Sequence, residues 1–94
     1  MEVIEYSVVE MNDPTGILEG KRYEFRIYVK FDEEDELYTE EGTGIRAIYV
    51  MNGANEKIAS YHLFDRSTES RLEFALDEEE EVALAEFCKD QLTD

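Results

Sequence analysis

Residues 22–31 alternate so strictly that they leave little choice of local structure. Tyr23, Phe25, Ile27, Val29 and Phe31 fall on one parity, and Arg22, Glu24, Arg26, Tyr28 and Lys30 on the other. An extended chain sends successive side chains to opposite faces, so this segment is a strand with one buried and one wetted face. A single strand cannot bury five large apolar groups. The remaining residues must therefore supply neighbouring strands and a cover.

They do so in a consistent order. Val3 to Met11 is rich in β-branched residues and reads as a first strand, closed by Asp13-Pro14-Thr15-Gly16, whose residue types suit a turn. After the alternating strand, residues 32–44 are too acidic to be buried and read as a long exposed loop. Ile45 to Met51 and Glu56 to Asp65 form a third and a fourth strand around Asn52-Gly53, a strong hairpin signal because both residues tolerate positive φ. A loop of two or four residues puts Ile45, Ala47, Tyr49 and Met51 on one face with Ile58, Ser60, His62 and Phe64. Ile48, Val50, Ala59, Tyr61 and Leu63 share the other, so the hairpin is apolar on both sides and central in its sheet. Arg66 to Glu69 is turn material, and Arg71 to Leu76 makes a fifth strand with Leu72, Phe74 and Leu76 turned inward. Asp77 and Glu80 form a capping box ahead of a helix whose apolar stripe is Leu84, Phe87, Cys88 and Leu92, with Ala85 at its edge. The expected fold is a single α+β domain over residues 1–94: a five-stranded antiparallel meander with one C-terminal helix packed on one face.

Charge narrows the function classes. With 25 Asp and Glu against nine Lys and Arg, the formal net charge is −16. Such a field repels phosphate backbones and anionic membrane surfaces, so no direct nucleic-acid or membrane partner is expected. It attracts basic partners or cations, and it also keeps a protein in solution. Eleven aromatic residues, six Tyr and five Phe, distinguish the chain from a disordered acidic one. Cys88 is the one cysteine, so no internal disulfide forms, which suits a reducing compartment. The first residues show neither a basic nor an apolar leader region, and no apolar run reaches membrane-spanning length; a cytoplasmic protein is expected.

The acid is clustered. Residues 32–41 hold seven carboxylates and no base, and residues 77–81 are five acids in a row. The second run has a structural reason, because carboxylates in a first helical turn interact favourably with the helix dipole and its free N–H groups. The first run has none. Three roles are open for Asp32, Glu33, Glu34, Asp35, Glu36, Glu40 and Glu41: a solvated loop, an electrostatic dock for a basic partner protein, or a divalent-cation site. The dock could act by imitating a phosphate backbone, making the protein a nucleic-acid mimic that inhibits a DNA-binding protein. The spacing is not that of an EF-hand, so no metal site is assigned.

Other chemistry finds little support. His62 is the only histidine and has no nucleophile or orienting carboxylate beside it in sequence. Cys88 lies on the apolar helix stripe, as a small buried hydrophobe would. One Cys and one His cannot build a structural zinc site, and Gly42-Thr43-Gly44 lacks the Lys and helix start of a phosphate-binding loop. No catalytic residue and no cofactor are expected. Arg22, Arg26 and Lys30 line one strand face with Glu24 and Tyr28, as cross-strand ion pairing or as a mixed Arg/Tyr binding surface.

The stretch Asp13-Pro14-Thr15-Gly16-Ile17-Leu18-Glu19-Gly20-Lys21-Arg22-Tyr23-Glu24-Phe25, with Glu34-Asp35-Glu36-Leu37-Tyr38, Tyr61-His62 and Phe87-Cys88, resembles a family of small acidic proteins of Bacillus-type bacteria known as a domain of unknown function. The resemblance spans nearly the whole chain, with Thr15 standing where the pattern has an aromatic. It implies no activity and no site residue. The expected function is a non-enzymatic interaction or regulatory module that docks a basic partner through the 32–41 loop. The alternatives are nucleic-acid mimicry and small-ligand or cation binding. Oligomeric state is left open.

Overall fold

The computed structural model describes residues 2–11, 20–53 and 55–92. Five strands, β1 (Glu2–Met11), β2 (Lys21–Lys30), β3 (Thr43–Asn52), β4 (Asn55–Asp65) and β5 (Arg71–Leu72), precede one helix, α1 (Glu78–Leu92). The sheet order is β1-β2-β3-β4-β5, with every neighbouring pair antiparallel. This is the expected α+β meander with a C-terminal helix. Among the described residues, no helix is long and apolar enough to cross a membrane.

The alternation in β2 organises the core. Phe25, Ile27 and Val29 are all but sealed from water and stand opposite Ala47, Ile45 and Thr43 of β3. Leu63, Leu76, Leu84 and Cys88 close over them. Each such Leu, Ile or Phe side chain contributes about 1.5–3 kcal/mol relative to exposure, so the sheet and the helix hold together chiefly through this one layer. Helix α1 begins in the expected capping box: Asp77 Oδ1 accepts from Glu80 N (2.8 Å), and Glu80 Oε1 accepts from Asp77 N (3.0 Å). The helix then crosses the sheet diagonally. Near its start, the Tyr61 hydroxyl of β4 donates to Glu81 (3.0 Å). Near its end, Tyr6 of β1 packs edge-on against Phe87 and donates to Gln91 (2.5 Å).

The structure departs from the sequence expectations in two places. First, the β3–β4 ladder slips by one residue: Tyr49 pairs with Ile58, but Ile48 pairs with Ser60, leaving Ala59 as a bulge. Beyond it Leu63 and Tyr61 face Ile45 and Ala47 in the core, while His62 and Phe64 turn to the opposite face, away from Ile58. An extra residue in one strand reverses the parity of all that follows. Second, β5 ends at Leu72, and Phe74 is 46% exposed rather than turned inward. The backbone leaves the edge because Leu76 N donates to the Tyr61 hydroxyl (3.0 Å) instead of to a ladder carbonyl. At the β3–β4 hairpin Asn52 pairs with Asn55, in keeping with the shorter of the two expected loops, and Gly53 takes the positive φ (62°). The expected turn at Asp13 to Gly16 lies outside the described residues.

Candidate functional site

A meander with one helix has one covered and one open face. Register assigns the open face: Glu2, Glu5, Ser7, Val9 and Met11 stand beside Lys30, Tyr28, Arg26, Glu24 and Arg22 of β2. These in turn neighbour Gly44, Arg46, Ile48 and Val50 of β3, which meet Phe64, His62, Ser60 and Lys57 of β4, with Arg71 of β5 beyond Phe64. Six of the nine bases, Arg22, Arg26, Lys30, Arg46, Lys57 and Arg71, therefore share one face of a protein whose net charge is −16. Arg66 joins them from the β4–β5 turn, its guanidinium lying 4.2 Å from the Tyr28 ring centroid.

Part of this charge is matched within the face. Arg46 Nε donates to Glu24 Oε1 (2.6 Å), Arg66 pairs with Glu5, and Arg26 approaches Glu69 (3.9 Å) while lying 5.8 Å from the Phe64 centroid. Tyr28 and Phe64 meet edge-to-face at 6.0 Å above Gly44. A Cβ on Gly44 would fall inside the Phe64 ring, so glycine here makes room for an aromatic, not a phosphate. His62 sits beside this cluster. Its pKa lies below the ordinary 6.5, first because burial disfavours the imidazolium, then because Arg71 and Arg46 repel it, with Glu24 acting in the opposite direction.

The acidic loop lies off the sheet end, and Asp32, Glu33, Glu34, Asp35, Glu36, Glu40 and Glu41 are all exposed. It is nonetheless anchored. Phe31 and Leu37 are buried in the core, and buried Thr43 donates its hydroxyl to the Leu37 carbonyl (2.7 Å). Asp35 Oδ1 accepts from Leu37 N (2.9 Å), Tyr38 N donates to the Asp35 carbonyl (3.0 Å), and the Thr39 hydroxyl binds the Gly42 carbonyl. Asp35 is thus a turn-forming side chain, while the other six carboxylates project without an intramolecular hydrogen bond or ion pair among the described residues. Sequence reading located the cluster but not its anchors, because the buried roles of Leu37 and Thr43 depend on where β3 begins.

The two lone candidates for reactive chemistry are separated. Cys88 is fully buried beneath the sheet, and burial pushes its thiol up to about 12, so it holds its proton and serves as packing. His62 lies on the other side of the sheet. Among the described residues no group of three or more His, Cys, Asp or Glu side chains is arranged to hold a metal ion.

A one-sided antiparallel sheet with an anchored acidic loop at its end defines a small α+β scaffold. Over residues 1–94, the whole chain, it matches and belongs to a family of unknown function, DUF6509. Neither the curated proteins nor the solved structures gave a match.

Proposed function

We propose that this protein is a non-enzymatic interaction module of the reducing cytoplasm that docks a basic partner protein through Asp32, Glu33, Glu34, Glu36, Glu40 and Glu41. The observation that supports this reading is the segregation of charge. Six of the chain's nine bases lie on the open sheet face with Arg66 beside them, its own Glu5, Glu24 and Glu69 meet three of these seven, and among the described residues none of the seven pairs with a carboxylate of the loop. Carboxylates held on an anchored turn lose less conformational freedom on docking than a mobile acidic tail would, and complementary charge accelerates encounter.

The test compares capture of lysate proteins at low and high salt by the wild-type chain, a loop variant and a helix variant. The loop variant carries Asp32→Asn, Glu33→Gln, Glu34→Gln and Glu36→Gln and leaves Asp35 to form its turn. The helix variant, Glu78→Gln, Glu79→Gln, Glu86→Gln and Asp90→Asn, removes the same four charges from exposed positions and controls for net charge. Capture that disappears at high salt and in the loop variant, but survives in the helix variant, is the expected result. Capture that is indifferent to the loop sinks the reading. Duplex DNA added as a competitor identifies the partner as a DNA-binding protein if it displaces the captured chain.

A further inference from the structure

At the hairpin end of the open face the bases are not matched. Arg22, Val50 and Lys57 stand in one row across β2, β3 and β4. Strands lie about 4.8 Å apart, so the two cationic positions are about 10 Å apart with Val50 between them. Asn52 and Asn55 close the row towards the hairpin, and the five side chains line a recess of about 510 Å³. No carboxylate among the described residues lines it. Among the described residues neither Arg22 nor Lys57 forms an ion pair, and the buried Arg22 Nε has no hydrogen-bond partner. A buried donor without a partner is destabilising, and an acceptor arriving from outside removes that penalty.

We propose that this recess binds a compact phosphate-bearing anion, a phosphate monoester or free phosphate. Two cations and two carboxamides offer donors from several directions, which suits the oxygens and double charge of a tetrahedral oxyanion better than a planar carboxylate. The guanidinium supplies a fork and the ammonium a point charge. The net charge of −16 selects for size. At physiological salt, charges beyond about 8 Å are largely screened, so a small anion in the recess responds first to Arg22 and Lys57. A nucleic-acid strand would have to extend past them towards Glu24 and the other carboxylates of the face, Glu2 and Glu5. The recess volume lies within the range of about 300–1,000 Å³ usual for small-molecule sites.

The experiment is a titration of the full chain with inorganic phosphate at constant ionic strength, followed by NMR, with chloride and a single-stranded oligonucleotide as comparison titrants. The expected result is saturable shifts at the Arg22 Nε–H, the Asn52 and Asn55 carboxamides and the Lys57 amide. Arg22→Gln and Lys57→Gln should each weaken binding at least tenfold, while Arg71→Gln leaves it unchanged. Lys57 is exposed, so its replacement keeps the fold and tests the site even if the Arg22 variant unfolds. Shifts that do not saturate, that chloride reproduces, or that persist unchanged in Lys57→Gln overturn the proposal, as does tighter binding of the oligonucleotide.

Discussion

His62 shows how a single residue reports its local surroundings. In a chain with 25 acids an imidazole would be expected to hold its proton more tightly, yet burial first, and then Arg71 and Arg46, push its pKa down. The sign of the linkage follows. The unfolded chain binds the proton more readily than the folded one, so His62 leaves stability intact above the ordinary value of 6.5 and costs stability as pH falls through it, levelling off below the folded pKa. Urea unfolding between pH 7.5 and pH 5 should therefore show the wild type losing stability relative to His62→Gln on acidification. A gap between the two that stays constant, or that moves the other way, would mean that burial and the neighbouring arginines do not depress the His62 pKa.

Among the elements, the helix and β2 were the most legible from sequence. Asp77 and Glu80 occupy the capping-box positions, and both reciprocal hydrogen bonds form. Replacing Asp77 with alanine should cost about 1 kcal/mol, the usual worth of such a cap, measured as a shift in the denaturation midpoint with an unchanged m-value. An unaltered midpoint would mean that packing of Leu84 and Cys88 alone sets the start of the helix. The strand pattern of residues 23–31 likewise specified its buried face, since alternation needs no knowledge of neighbours. What sequence could not specify depended on registration between strands. Ala59 is an unremarkable residue in an unbroken apolar–polar run, and nothing in it announces the bulge that moves His62 and Phe64 to the open face. Phe74 looks like a core residue by parity and is exposed because the Tyr61 hydroxyl captures the backbone at Leu76. Strand β1 is apolar in composition yet exposed along its length, because it lies at the sheet edge, touched by the helix at Tyr6 alone among its described contacts. Glu2, Glu5 and Glu10 and the register shift at Val3–Glu5 blunt that edge against pairing with other chains. The acidic loop was visible in composition, whereas the Arg22–Val50–Lys57 row appears only once three strands are placed side by side.

At the scale of the whole molecule, a strongly acidic protein divides its surface by sign. The meander lays six bases on one face because the even-numbered positions of β2 and β3, the Val50–Lys57 pair of the hairpin and the Phe64–Arg71 pair of β4 and β5 converge there, while the two acidic runs fall on a loop and a helix start that lie off that face. Both proposals rest on this division, one on its acidic side and the other on its basic side. It can be measured residue by residue, without any partner or ligand, from the NMR relaxation caused by cationic and anionic paramagnetic cosolutes. The account predicts that protons of residues 33–41 are relaxed preferentially by the cationic probe, and those of Arg22, Val50 and Lys57 by the anionic one. Preference for the cationic probe over the entire surface, the open face included, would contradict it.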